Sequence, residues 1–395
     1  MPFAPDALAR LLPEAHRFDD IIDVRAPSEF AEDHIPGAIN LPVLSDDERA
    51  RVGTIYTRES PFLARKIGAA LVARNAARHL EDVLADRPGG WQPLLYCWRG
   101  GQRSNSFAVI LRQIGWRVEV IEGGYKHYRK LVMAALAAPP PCPVIVLDGN
   151  TGTAKTALLP HLARHGVQAI DLEGLAGHRG SVFGAIDRQP SQKLFESRLA
   201  FALAGLSATS VLLLEAESHR IGALRLPAGI WRAMQAAPRI ELSAPLAARA
   251  GHLTSAYGDI AADPVRLAAT IDRLRPLHAA ERIAQWQDLA ARGAHAELAK
   301  SLMLHHYDPA YARVRVRAAA RAPAGPQADV IANPQTPPPV LRLQADDLRP
   351  EALPKLAERI AAAARAMATG AGGMAGGETA GGGTAGGVAP APLKP

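Results

Sequence analysis

Val144-Ile145-Val146-Leu147-Asp148-Gly149-Asn150-Thr151-Gly152-Thr153-Ala154-Lys155-Thr156 decides how this chain folds. Four consecutive apolar residues make the short run expected of a strand buried on both faces of a parallel sheet. A glycine-bearing turn follows, and the residues from Lys155 onward read as a helix. The order strand, turn, helix with G-x4-A-K-T is a phosphate-binding P-loop, with Ala154 where the last glycine is expected. Gly149 and Gly152 let the backbone N–H groups around Thr151 turn inward on a phosphate. Lys155 adds a point charge, and the Thr156 hydroxyl can reach a Mg²⁺ ion; no other metal ligand is assigned. A Cβ at position 154 narrows the nest or tilts the helix start. Val211-Leu212-Leu213-Leu214-Glu215-Ala216-Glu217-Ser218 reads as the partner strand, with Glu215 and Glu217 near the metal; a plain surface strand end is the competing reading.

Outward from this motif the chain divides. Ala137-Ala138-Pro139-Pro140-Pro141-Cys142-Pro143 cannot continue a helix and makes a stiff connector. The expected units are therefore 8–137, a Pro-rich linker at 138–143, and 144–365 with a helical extension over Pro264 to Leu302. From 366 to 395 the chain is mostly Gly, Ala and Thr with Glu378 and Lys394 as its charges, and a disordered tail is expected. Ala322 to Pro339 reads as an exposed loop. In the first unit, strand patterns at Ile21–Val24, Pro93–Tyr96 and Arg117–Ile121 alternate with helical ones at Ser60–Leu80 and Asn105–Ile114. That alternation predicts an α/β fold with a parallel sheet.

The length of 395 residues suggests two to three domains at ~150 residues each. Lys and Arg total 45 against 38 acidic residues, a net +7, and only eight of the basic residues are Lys. Composition alone favours a genome-wide Arg bias over an acidic partner as the cause. Two cysteines, Cys97 and Cys142, exclude a disulfide scaffold and a four-thiolate zinc site. Met1 to Arg10 lacks a basic-then-apolar leader, and no apolar run nears the ~20 residues of a membrane span. A cytoplasmic monomer without a membrane partner is expected.

Tyr96-Cys97-Trp98-Arg99-Gly100-Gly101-Gln102-Arg103-Ser104 carries the strongest local chemistry. A Cys after a buried strand, then Arg at a helix start, forms a cradle of backbone N–H groups. The helix N-terminus and the charges of Arg99 and Arg103 favour thiolate over thiol. Cys97 should thus be nucleophilic; the alternative, a small inert core residue, leaves the glycines and arginines unexplained. Cys142, amid prolines, reads as an inert linker residue. Between the P-loop and its partner strand, Asp171 through Gly184 is a dense polar stretch containing His178, Arg179 and Ser181. Gln189-Pro190-Ser191-Gln192 follows it, and the whole suggests a binding loop.

Asp23-Val24-Arg25, His34-Ile35-Pro36-Gly37-Ala38, the Cys97 loop and Ile121-Glu122-Gly123-Gly124 together resemble a rhodanese domain over roughly residues 10 to 135. The Cys-x5-Arg loop also looks like phosphatase loops; the surrounding elements decide for chalcogen transfer. With the P-loop unit, the His178-Arg179-Gly180-Ser181 segment, Val52-Gly53-Thr54-Ile55-Tyr56 and Tyr307-Asp308-Pro309-Ala310-Tyr311, the chain resembles the tRNA 2-selenouridine synthase family over about residues 10 to 320. Ala154 and Ala216 depart from that pattern. The resemblance implies a rhodanese-like domain followed by a P-loop NTPase-like domain. It implies conversion of wobble 2-thiouridine in Lys, Glu and Gln tRNAs to 2-selenouridine, by S-geranylation from geranyl diphosphate and then selenation from selenophosphate. A partner supplying selenophosphate follows from this. Cys97 would carry selenium as an S-selanylcysteine beside Arg99 and Arg103. Gly149, Thr151, Gly152, Lys155 and Thr156 would bind diphosphate, and His178, Arg179, Ser181, Gln192, Glu215 and Glu217 would form a substrate loop. A tRNA substrate turns the reading of the +7 toward an acidic partner, with Arg313, Arg315 and Arg317 alternating along an apparent strand as candidates. The alternative is a nucleotide-hydrolysing RNA-binding protein with a regulatory sulfurtransferase domain.

Overall fold

Ile21 and Ile22 point to opposite sides of one strand, and that alternation organises the first half of the molecule. The computed structural model describes residues 8–12, 15–179, 183–184, 189–313 and 340–372. Strand β1 (Asp20–Asp23) pairs in parallel with β2 (Ile39–Asn40) and β3 (Pro93–Tyr96), and β4 (Glu119–Val120) completes the order β2-β1-β3-β4. Ile22 and Leu95 join Phe107, Leu111 and Trp116 on one face. Ile21, Leu94 and Tyr96 join Tyr125, Tyr128 and Leu131 on the other. Both faces are thus covered by helices, as an all-parallel sheet requires. These are α1 (Pro27–Glu32), α2 (Asp46–Arg58), α3 (Pro61–Glu81), α4 (Gln102–Ile114) and α5 (Gly124–Ala137). Each fully buried Ile or Leu among them contributes roughly 1.5–3 kcal/mol. Ser45 sets the start of α2 through a capping box: its hydroxyl accepts from the Glu48 N–H while the Glu48 carboxylate accepts from Ser45.

The second half repeats the logic with five parallel strands in the order β11-β10-β5-β7-β6. They are β5 (Val144–Gly149), β6 (Val167–Ile170), β7 (Val211–Glu215), β10 (Arg239–Ser243) and β11 (Val340–Gln344), with a small hairpin of β8 (Arg220–Ile221) and β9 (Leu224–Arg225). The connecting helices are α6 (Lys155–Leu162), α7 (Leu172–Ala176), α8 (Gln192–Ala204) and α9 (Ala228–Ala236). A bundle of α10 (Leu246–Ala256), α11 (Gly258–Ala261), α12 (Pro264–Asp272), α13 (Ala280–Ala291) and α14 (His295–Leu302) closes around Trp286, Ile271, Leu274 and Leu298. A π-helical turn, Met303–Tyr307, continues α14.

One apolar core runs through both halves. Tyr128 and Leu131 of α5 belong to the same cluster as Phe195, Leu199 and Phe201 of α8 and as Val146, Leu212 and Leu214 of the second sheet. The approach is close: a Cβ at Gly229 would lie 2.3 Å from the Leu136 carbonyl oxygen. A polar seam borders it, with Arg129 paired to Glu196 and 3.7 Å from Asp33, and Lys193 paired to Glu32 at 2.6 Å.

Three sequence expectations change. Order does not end at residue 366, because the C-terminal helix runs Leu353–Gly372, with Met367 and Ala368 packed against the cluster formed by Leu158, Leu159 and Ile360. Its small residues Ala357, Ala361 and Ala364 are fully buried, so close packing on α6 offsets the ordering entropy that composition alone left unopposed. Arg313 closes a helical segment, residues 308–313, and is not on a strand. Strands β2, β6, β10 and β11 were not marked by the apolar-run criterion. Residues 373–395, Ala322 to Pro339, Arg315 and Arg317 lie outside the described residues.

Candidate active site

Cys97 ends β3 and sits 3% exposed under the loop that leads into α4. Its surroundings depend on two glycines at positive φ. A Cβ at Gly124 (φ +54) would lie 2.2 Å from the Cys97 carbonyl oxygen, and one at Gly100 (φ +65) 2.6 Å from that of Ile121. Without side chains there, the Tyr125 N–H donates to Cys97 O at 2.8 Å and the Lys126 N–H to Trp98 O at 3.0 Å. The late Gly-Gly pair therefore clamps the thiol loop from below. Burial alone would push the Cys97 thiol up; the Ser104 hydroxyl, the amides of Ser104 and Arg99 and the charge of Arg103 outweigh it and hold the thiol below its ordinary range. The Ser104 hydroxyl donates to Sγ at 3.2 Å. Arg103 acts from within an ion pair with Glu29 at 2.8 Å, which Arg49 also contacts. Arg99 contributes its backbone N–H, and its side chain is exposed. Ser104 is the participant that the sequence reading quoted without assigning.

The shift has a direct readout. Thiolate is the alkylated form, so a lowered value means Cys97 reacts with iodoacetamide at lower pH than the thiols of the unfolded chain. The pH midpoint of its labelling, read by peptide mass, should lie below the denatured reference, and Ser104→Ala should move it up. Cys142 should move the other way, since burial pushes its thiol up. A Cys97 midpoint at or above the denatured one would contradict this account.

The phosphate loop forms between β5 and α6. Gly149 passes so close to its neighbours that a Cβ would meet Thr153 Oγ1 at 2.6 Å and Leu242 O at 2.8 Å. Gly152 adopts φ +86 and Ala154 φ +61, the one non-glycine at positive φ among the described residues. Ala154 thus keeps the left-handed turn a glycine would supply, at a cost of about 1–2 kcal/mol, and its Cβ is buried. Lys155 Nζ donates to Gly149 O at 2.7 Å, and Thr156 Oγ1 donates to Glu215 Oε1 at 2.7 Å. Arg249, absent from the sequence expectations, holds the loop from the bundle side: Nε donates to Thr151 O at 2.9 Å while both terminal nitrogens grip Asp308 at 2.7 and 2.9 Å.

At the end of β7, Glu215 and Glu217 meet Glu173 of α7, with one carboxylate oxygen of each within 4.8 Å of the others. Burial raises Glu215 to about 7, against the opposing pull of Lys155 and Thr156. Burial and the charges of Glu217 and Glu215 raise Glu173, and burial likewise raises Glu217. Glu215 Oε2 has no hydrogen-bond partner among the described residues. Glu173 reaches the site only through folding; in the sequence it is one acidic residue in a polar stretch.

The candidate substrate loop divides. Arg179 places its guanidinium over the Tyr257 ring at 4.9 Å. Burial lowers His178 from its ordinary range, and its N–H donates to Glu173 O. Gln192 has a scaffolding position: its amide donates to Arg225 O and accepts from the Arg225 N–H, both at 2.9 Å, holding β9. Ser181 lies outside the described residues. The structure thus brings Cys97, Ser104 and Arg103 together on the first sheet, and Lys155, Thr156, Glu215 and Glu217 together on the second. No helix of the described residues is long and apolar enough to cross a membrane.

Comparison with known proteins matches both halves. Residues 4–131 match the rhodanese-like domain family, and residues 142–272 match the AAA domain of tRNA 2-selenouridine synthase. A tRNA 2-selenouridine synthase of Chromohalobacter salexigens is 35% identical over 340 residues, covering 77% of this chain and 91% of that protein. That of Shewanella halifaxensis is 41% identical over 245 residues, 60% of this chain and 65% of its own. That of Salmonella newport is 39% identical over 249 residues, again 60% and 65%.

Proposed function

Because the chain belongs to the tRNA 2-selenouridine synthase family, we propose that it converts 2-thiouridine at the wobble position of Lys, Glu and Gln tRNAs to 2-selenouridine in two chemically separate halves. The observation that carries this is the presence of two different anion-handling centres in one chain: a thiolate ring at Cys97 and a phosphate loop at Lys155. In the first half, the thiouridine sulfur bonds to C1 of geranyl diphosphate. The C1–O bond breaks, its electron pair leaves on diphosphate, and the uracil N3 proton passes to solvent. The loop amides and Lys155 stabilise the charge that gathers on the departing diphosphate. In the second half, selenium from selenophosphate bonds to C2 and the geranyl thiolate leaves with the C2–S pair. Alkylation makes that sulfur a better leaving group. Cys97 is the thiolate that handles selenium, and Arg103 and the loop amides balance negative charge on it.

The carboxylates fit a divalent cation. Three buried, mutually repelling acids with an unpartnered Glu215 oxygen are a hard-oxygen donor set next to a phosphate loop. Glu215, with Thr156 beside it, would hold Mg²⁺, and Glu173 and Glu217 would complete its surroundings. Bound there, the ion would supply further positive charge to the leaving diphosphate.

Thiolated tRNA incubated with the protein and geranyl diphosphate should yield S-geranyl-2-thiouridine, measured by nucleoside mass. Adding selenophosphate should then give 2-selenouridine. Nucleotide hydrolysis stimulated by tRNA, with no mass change on adding geranyl diphosphate, would instead support the nucleotide-hydrolysing alternative.

A further inference from the structure

Beside the phosphate loop, the helical bundle encloses a cavity of about 590 Å³ counted to its open mouth, within the roughly 300–1,000 Å³ typical of small-molecule pockets. Phe183, Leu253, Tyr257, Leu298 and Leu302 line it, with Thr151 of the phosphate loop at its edge. The lining is almost wholly apolar, although the loop it adjoins is built for an anion.

Loop and cavity are one construction. Leu253 of α10 forms both the cavity wall and the packing surface under the loop, since a Cβ on Gly152 would lie 3.0 Å from Leu253 Cγ. Arg249, one turn earlier on α10, ties Thr151 O to Asp308. Asp308 directly follows the π-helical turn whose last residue, Tyr307, also faces the cavity. Arg179 adds a positive charge over the Tyr257 ring. A nucleotide base in this space would have to lose water from its polar edges without gaining partners, which is unfavourable. An anionic head joined to a hydrocarbon tail satisfies both surfaces at once.

We propose that this cavity seats the hydrocarbon tail of the diphosphate held by the Gly149–Thr156 loop, and that Leu298 and Leu302 set the length of prenyl chain that reacts. This rests on the reading of the phosphate loop as a prenyl diphosphate site and adds where the tail lies and what selects it. Leu298 and Leu302 are 4% and 7% exposed, so changes in their size alter the enclosed space rather than the surface.

The test offers dimethylallyl, geranyl and farnesyl diphosphates together to each variant with thiolated tRNA, and reads product ratios by nucleoside mass. Ratios within one sample do not depend on the fraction of protein folded. Leu298→Trp, which fills the cavity, should shift product from geranyl toward dimethylallyl by at least about tenfold, the discrimination expected for filling an apolar pocket. Leu298→Ala and Leu302→Ala, which enlarge it, should shift product toward farnesyl by a similar factor. If the wild-type protein geranylates tRNA but the ratios of the soluble variants match it, the cavity assignment is overturned while the prenyl reading stands. If the wild-type protein alkylates tRNA with none of the three diphosphates, the prenyl reading itself falls and this inference falls with it.

Discussion

Cys97→Ala should accept geranyl groups onto thiolated tRNA at close to the wild-type rate, while selenation drops by roughly three orders of magnitude or more, the scale of losing a nucleophile. The asymmetry follows from where the residue sits. Cys97 closes the first sheet beneath α4, and its Sγ contacts are Ser104 and the amides of its own loop. Lys155, Thr156 and Glu215 belong to the second sheet. Removing one buried sulfur costs about 1 kcal/mol of packing and leaves the phosphate loop intact. The product to measure is S-geranyl-2-thiouridine, which should accumulate when selenophosphate is present. Selenation retained in Cys97→Ala would remove Cys97 from the mechanism. Loss of both activities would mean that the two centres are not independent.

Lys155→Ala should produce the opposite pattern. Removing a charge that stabilises a leaving diphosphate costs about 10²–10³-fold in rate, roughly 2.7–4 kcal/mol. Selenation of tRNA that already carries the S-geranyl group should survive. Lys155 also has a second effect, because its charge opposes the upward shifts of Glu173, Glu215 and Glu217. Lys155→Arg retains that charge while changing the geometry at Gly149, so it separates the two contributions. If Lys155→Arg restores stability but not geranylation, the ammonium acts on the diphosphate and not only on the carboxylates. An unchanged geranylation rate in Lys155→Ala would refute the role of the loop.

Both loops were legible because each is local. A strand, a glycine turn and a helix lie within about a dozen residues, and the chemistry is written in side chains next to one another. What escaped was the part assembled across distance. Glu173 joins Glu215 and Glu217 only once α7 folds beside β7, and the Arg249–Asp308 pair links residues 59 apart in sequence. The cavity escaped for a different reason. Leu253, Leu298 and Leu302 sit at ordinary helical spacings, and periodicity does not distinguish an apolar face that fills a core from one that lines a space. The tail boundary was misplaced because composition counts the alanines of residues 357–368 as weak, although small residues are what let that helix pack closely on α6. At Ala154 the opposite occurred: a substitution that looked damaging retains the backbone turn, so the departure alters strain and not topology.

The core shared by α5 and α8 limits how the enzyme can be taken apart. Splitting the chain within 138–143 would leave Tyr128 and Leu131 on one fragment and Phe195, Leu199 and Phe201 on the other, all now facing water. Apolar patches of this kind drive self-association, so fragments expressed alone would report on their exposed seam as much as on their chemistry. Assigning each half-reaction therefore calls for point substitutions in the intact chain, with the boundary between the halves treated as interior.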